Sequence, residues 1–366
     1  MKLPVIKAPI PTENNRFYRP PNSLKHPSSL CPRNKFVKSA IHPLEPYKSQ
    51  GVTKMAQAPS IEDPERVFFI TAKTQLAKLW FINNPVLEQR ILAHLAKYQD
   101  DYGAIIHGFV IMGNHYHLLA RFPNSNKADF KRDFHSMIAR LTKSHVELFE
   151  GGKLWGGRSL DLPCPNKEDI LNWFFYLTLN PIYSGLTQRI SEYPGYNSFH
   201  EAVQDIKNEY KIVDREGYNA ARARGRKVAI QDYTTFYTLK YTRLPGYEDM
   251  HKRDYVKFMH AELATRAAVA VELRLAEGKG FLGRRGIKAQ TPGSVPENTK
   301  RRARGEKTRP IVLTLCEETR RAFKEWYFQM LEAYKEASRR FRDGELEVEF
   351  PPGTYRPRLA KPCLSC

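Results

Sequence analysis

Gly103-Ala104-Ile105-Ile106-His107-Gly108-Phe109-Val110-Ile111-Met112-Gly113-Asn114-His115-Tyr116-His117-Leu118-Leu119-Ala120-Arg121-Phe122 is the stretch on which the fold turns. Two apolar runs flank Gly113-Asn114, a dipeptide that favours two-residue hairpin turns. The stretch therefore reads as two antiparallel strands. Residues two apart on a strand point to the same face. His115 and His117 then project together just past the turn, and two such imidazoles can chelate one ion. The plainer reading buries one ring and leaves the other in solvent.

Working outward, residues 66–73 form a β-rich run, and Pro85 suits the first turn of a helix extending to residue 98. Leu87, Ile91, Leu92 and Leu95 share one face of that helix. Residues 127–149 read as an amphipathic helix, with Phe130, Phe134, Met137, Ile138 and Leu141 in register. A glycine-rich loop anchored by Trp155 precedes a further helix over residues 167–180, ended by Pro181. The order predicts an α+β fold, a ferredoxin-like antiparallel sheet covered by helices.

The chain has 366 residues and a formal net charge of +20, which favours a polyanionic partner. Residues 1–60 carry +8, residues 61–200 only +1, and residues 201–366 +11. Three parts follow: a basic extended arm over 1–60, a catalytic domain over 61–200, and a basic, mostly helical extension over 201–366. Within the extension, helices are expected over 251–278 and 316–342, with an exposed basic linker over 279–310. There is no internal repeat.

Five scattered cysteines argue against a secreted disulfide scaffold. Cys363 and Cys366 form a lone C-x-x-C, read as tail rather than a zinc site because no second pair accompanies it. No signal-peptide core or membrane-length apolar run is present, so a cytoplasmic, nucleoid-associated bacterial protein without a membrane partner is expected.

A second element is Tyr176-Leu177-Thr178-Leu179-Asn180. At i and i+4 on a helix, Tyr176 and Asn180 share a face, so a phenol and an amide oxygen could flank one ion. The competing reading is an aromatic core patch of Trp173, Phe174, Phe175 and Tyr176, with Asn180 as a C-cap before proline. His107 is read as a structural histidine. Basic clusters at Arg222, Arg224, Arg226 and Lys227, at Arg284 and Arg285, and at Arg301, Arg302 and Arg304 are candidates for DNA binding or plain solvated surface.

Met112-Gly113-Asn114-His115-Tyr116-His117-Leu118-Leu119 resembles the His-hydrophobic-His signature of the IS200-like single-tyrosine (HUH) transposases. Tyr176-Leu177-Thr178-Leu179-Asn180-Pro181-Ile182-Tyr183-Ser184-Gly185-Leu186 resembles their tyrosine helix, and the REP-associated tyrosine transposases are the nearest branch. Tyr193-Pro194 and Ser198 also match that branch. The resemblance spans residues 66–200. It departs at Tyr116, where the family usually has an aliphatic residue, and at Gly113, where it commonly has proline. Residues 349–355 resemble the tail of longer members, without an assigned chemistry.

The resemblance implies that Tyr176 is the nucleophile and that His115, His117 and Asn180 hold a divalent metal, Mg²⁺ or Mn²⁺. The tyrosine would attack single-stranded DNA near a hairpin, forming a 5′-phosphotyrosine link. A free phenol is mostly protonated at pH 7 because its reference pKa is about 10, and the group that accepts its proton is not evident. A catalytically inactive nucleic-acid-binding protein of the same fold and a water-using nuclease are the competing classes. Monomer and homodimer both remain open.

Overall fold

The computed structural model describes residues 60–296 and 310–357. The basic arm up to residue 59, Arg301, Arg302, Arg304, Cys31, Cys363 and Cys366 lie outside the described residues.

β1 (Val67–Lys73), α1 (Pro85–Tyr102), β2 (Ile105–Met112), β3 (His115–Arg121), α2 (Lys127–His145) and β4 (Leu160–Cys164) build an α+β layer. The sheet has order β2-β3-β1-β4, and every neighbouring pair is antiparallel. Strand alternation sorts the side chains onto two faces. Phe109, Ile111 and Tyr116 meet Ile91 of α1 and Ile138 of α2 on one face. Phe134 of α2 adds ring contacts to Phe109 and Tyr116. Each such fully buried side chain stabilises the fold by roughly 1.5–3 kcal/mol.

The Gly113-Asn114 hairpin forms as expected, yet neither residue takes a positive φ. Tertiary bonds hold the turn instead. Asn114 Nδ2 donates to Ala77 O at 2.8 Å, and the backbone amides of Thr74 and Phe81 donate to Asn114 O and Gly113 O at 2.9 Å each.

β4 is only five residues long and contains Pro163, so the sequence reading passed over it. A proline is tolerated on an edge strand because one ladder hydrogen bond is dispensable there. The outer edge is covered where Leu313 N donates to Pro163 O at 3.0 Å. On this strand Asp161 accepts from Lys127 at 3.0 Å and Lys131 at 2.9 Å, both lysines buried. Burial pushes the Asp161 pKa up, but the two ammonium groups overcome it and hold the carboxyl down at about 2.

α2 lacks a side-chain cap from its own N-cap, Asn126. Glu62 supplies one from a distance, accepting from Lys127 N at 3.0 Å and Ala128 N at 2.9 Å. Glu62 N in turn donates to Gly353 O at 2.8 Å. Gly353, at φ +77, passes so close that a Cβ there would lie 2.0 Å from Glu62 O.

The other sheet face is covered by α3 (Lys167–Thr178), followed by the single-turn α4 (Asn180–Tyr183) and α5 (Phe199–Gln204). Beyond residue 204 come β5 (Asn208–Val213), α6 (Arg215–Ala223), β6 (Thr234–Leu239), α7 (Lys252–Ala276), α8 (Gly283–Ala289) and α9 (Glu317–Arg342). Helices α7 and α9 match the expected spans. The β5–β6 hairpin was not anticipated, and it rests on α1 through paired bonds between Gln99 and the Lys240 backbone at 2.8 and 3.1 Å. The expected linker also contains helix α8, whose Ile287 is buried against Leu79 and Ile82. Leu239, Tyr241, Tyr255, Met259 and Leu313 share one core with the strands β1–β3.

Candidate functional site

The β1–β3 register sets Thr71 opposite His117 and Lys73 opposite His115. His115 and His117 therefore share the face that α3 covers, with ring centroids 4.8 Å apart. Tyr116, between them, points to the opposite layer, where its hydroxyl meets His135 Nε2. This phenol packs in the core, so the departure from an aliphatic residue leaves the two imidazoles where alternation puts them.

His117 is 6% exposed and stacks on Phe69 at 5.0 Å. Its Nε2 accepts from Asn180 Nδ2 at 3.0 Å. Its Nδ1 is buried without a hydrogen-bond partner among the described residues. His115 is half-buried, and its Nδ1–H donates to Asn114 Oδ1 at 2.7 Å, leaving Nε2 with its lone pair. Asn180 also lies within hydrogen-bonding reach of His115. Burial, followed by the nearby Lys73 charge, lowers the His115 pKa to about 4. Burial and then His115 hold His117 well below the ordinary range. Both rings are neutral at pH 7, the state in which imidazole ligates metals.

Tyr176 is half-buried on α3. Its ring lies 4.8 Å from Trp173 and 5.8 Å from each of Phe69, His117 and Tyr183. Burial raises its pKa above the usual phenol value, so the hydroxyl is protonated at rest. Asn180 does not continue the Tyr176 helix. α3 ends at Thr178, Leu179 has ψ 4°, and Asn180 opens α4 with Pro181 in its first turn. Leu179 N still donates to Phe175 O at 2.8 Å, which keeps the junction tight and brings Asn180 onto His117.

Among the described residues, no group of three or more His, Cys, Asp or Glu comes together as a metal site. Beside the two imidazoles, the Asn180 carboxamide is the further side chain that could supply a donor oxygen. Its Nδ2 faces His117 and its Oδ1 accepts from Ser184 Oγ at 3.3 Å, so holding an ion would require the amide to turn end for end. Two neutral imidazoles and one amide oxygen fit Mn²⁺ readily and Mg²⁺ less so. His115 also has the partner on its second ring nitrogen that ligating histidines usually have.

The basic candidates divide. Arg284 and Arg285 are exposed on α8, and its start is pinned beside the tyrosine segment, where Leu282 N donates to Gly185 O at 2.9 Å and Gly283 N to Leu186 O at 2.8 Å. Arg222, Arg224, Arg226 and Lys227 are exposed in the connection between β5 and β6, a hairpin that rests on α1 in the opposite layer. No contact among the described residues brings that cluster to His115 or His117.

His107 sits in the β-bulge of β2, its Nδ1 3.0 Å from Thr242 O, and is a buried core residue. Trp155 Nε1 donates to His135 O at 3.1 Å, anchoring its loop. Sequence reasoning passed over Asn114, Lys73 and Tyr183. Lys73 becomes a neighbour of His115 only through strand register. Tyr183 lies seven residues after Tyr176, a two-turn spacing that could have flagged it.

No protein-family model matches this sequence, and no curated protein matches it. Among solved structures it is similar to a REP-associated tyrosine transposase bound to a REP hairpin, with 16% identity, a TM-score of 0.33, and coverage of 41% of this chain and 84% of that chain. A likeness at that level assigns no family. Among the described residues, no helix is long and apolar enough to cross a membrane.

Proposed function

We propose that this protein is a single-strand DNA transposase that cleaves and rejoins DNA through Tyr176. The observation that carries the reading is the convergence of Tyr176, 5.8 Å from His117 ring to ring, with Asn180, 3.0 Å from the same imidazole. The β-α-β-β-α-β order, with α1 and α2 on one face, supports a ferredoxin-like arrangement.

His115, His117 and Asn180 would hold a divalent ion, Mg²⁺ or Mn²⁺. Such an ion, when bound, polarises a phosphodiester and offsets its charge. The Tyr176 oxygen attacks phosphorus, the bond to the 3′ oxygen breaks, and that oxygen leaves as a 3′-OH after taking a proton. The phenol proton goes to solvent. The 5′-phosphotyrosine bond keeps the energy of the broken ester, so a 3′-OH can reverse the step and join strands. Arg284 and Arg285 flank the tyrosine segment and are suited to grip phosphates in a salt-dependent way.

The test is a stem–loop DNA with a single-stranded arm, incubated with the full chain and Mn²⁺ and resolved under denaturing conditions. A covalent protein–DNA band is expected, and none with Tyr176→Phe. Equal bands from both proteins would overturn the nucleophile assignment. Cleavage that persists in Tyr176→Phe without an adduct would indicate a water-using nuclease. Binding without cleavage by either protein would indicate an inactive DNA-binding module.

A further inference from the structure

Between β1 and α1 the chain makes a tight turn in which Leu76 has φ 55° and ψ 18° and Ala77 has φ 57°. Two consecutive left-handed residues bearing side chains are costly, and glycine would occupy either without strain. Packing does not explain the leucine, because the Leu76 side chain is 66% exposed.

The surrounding structure forces the conformation. Thr74 Oγ1 donates to Lys78 O at 2.7 Å. Gln75 N donates to Leu154 O at 2.7 Å, and Gly156 N donates to Lys73 O at 2.9 Å. Asn114 Nδ2 donates to Ala77 O, while Asn114 Oδ1 accepts from His115. The turn is therefore two side-chain hydrogen bonds away from the His115 imidazole. Its first neighbour, Lys73, is exposed and lies directly across from His115 in the sheet.

Strain held in place by a rigid frame next to a reacting centre is a mark of function. The geometry points to a wedge: we propose that Leu76 packs against a base adjacent to the scissile phosphate and separates it from its neighbour, while Lys73 meets the backbone. Apolar residues inserted between bases are a recurrent way to unstack them. The turn is already ordered, so binding sacrifices little chain entropy there. This inference rests on the DNA reading above and adds the element that places the strand.

The experiment uses the full chain carrying Tyr176→Phe, which keeps the DNA intact, and a stem–loop oligonucleotide whose single-stranded arm carries 2-aminopurine at one position, moved along the arm. Binding should brighten the probe at one position, as unstacking requires. Leu76→Gly removes the wedge and relieves the strained φ, so its melting temperature should not fall. It should abolish that brightening and weaken arm binding about tenfold, the scale of a single base stack. Affinity for the blunt stem alone should stay unchanged, and Leu76→Phe should restore the signal. Equal brightening and equal affinity in Leu76→Gly would overturn the wedge. Arm binding without brightening at any position would overturn it too, leaving the DNA reading intact. If the chain bound neither arm nor stem, the DNA reading would fall and the wedge with it.

Discussion

His117 accepts a hydrogen bond from Asn180 across 3.0 Å, tying the central strand β3 to the turn that follows the tyrosine helix. The pair is buried, and among the described residues Asn180 is the hydrogen-bond partner of His117, while its own Oδ1 also accepts from Ser184 Oγ at 3.3 Å. Asn180→Ala should destabilise the fold by about 1–3 kcal/mol, the cost of leaving a buried polar atom unpaired. Chemical denaturation measures this, and an unchanged midpoint would mean that water replaces the amide. The same variant should lose Mn²⁺ binding by calorimetry if the amide is a ligand.

Asn114 orients the His115 ring through a 2.7 Å bond. Partners of this kind typically change metal affinity by about 10–100-fold. Asn114→Ala should weaken Mn²⁺ binding by about tenfold at the least. Retained affinity would show that the ring is set by packing alone.

Burial raises the Glu88 pKa to about 7 from 4.5, only partly offset by the hydrogen bond from Tyr196 N. The folded value lies above the unfolded one. The stabilising contribution is therefore complete below pH 4.5 and is lost as pH rises through about 7. Glu88→Gln keeps an acceptor for Tyr196 and cannot ionise. Its melting temperature should gain on the parent chain between acidic and mildly alkaline pH. Parallel melting curves over that window would refute the assignment.

Asp161 pairs with two buried lysines, Lys127 and Lys131. Asp161→Asn removes the carboxylate that both lysines share and should cost about 3–5 kcal/mol, as removal of one partner from a buried pair does. Urea unfolding reads the loss directly. A cost under about 1 kcal/mol, typical of an exposed pair, would mean that water reaches the site.

Arg284 and Arg285 stand beside the tyrosine segment, whereas the Arg222 cluster lies exposed in the connection between β5 and β6, strands that rest on α1. Replacing Arg284 and Arg285 together by Ala should flatten the slope of log affinity against log salt by about 1.4 for single-stranded DNA, roughly 0.7 for each phosphate no longer neutralised. Arg222→Ala with Arg224→Ala should change it less. The reverse ranking would move the DNA path to the β5–β6 hairpin.

Much of this molecule could be read from local patterns. Two apolar runs around the Gly113-Asn114 turn define both strands, and the period of two in strand geometry places His115 and His117 on one face without anything distant. The period of helices likewise located α1, α2, α7 and α9. Other features have no local signature. β4 exists because β1 pairs with it, despite Pro163. Asn180 reaches His117 across a helix break that an i to i+4 argument does not contain. Lys73 neighbours His115 through register alone, and the strained Leu76 is held by bonds to residues far along the chain. Periodicity reports which way a side chain points from its own backbone; which groups meet depends on the packing of separate segments, and that is decided only when the whole core closes.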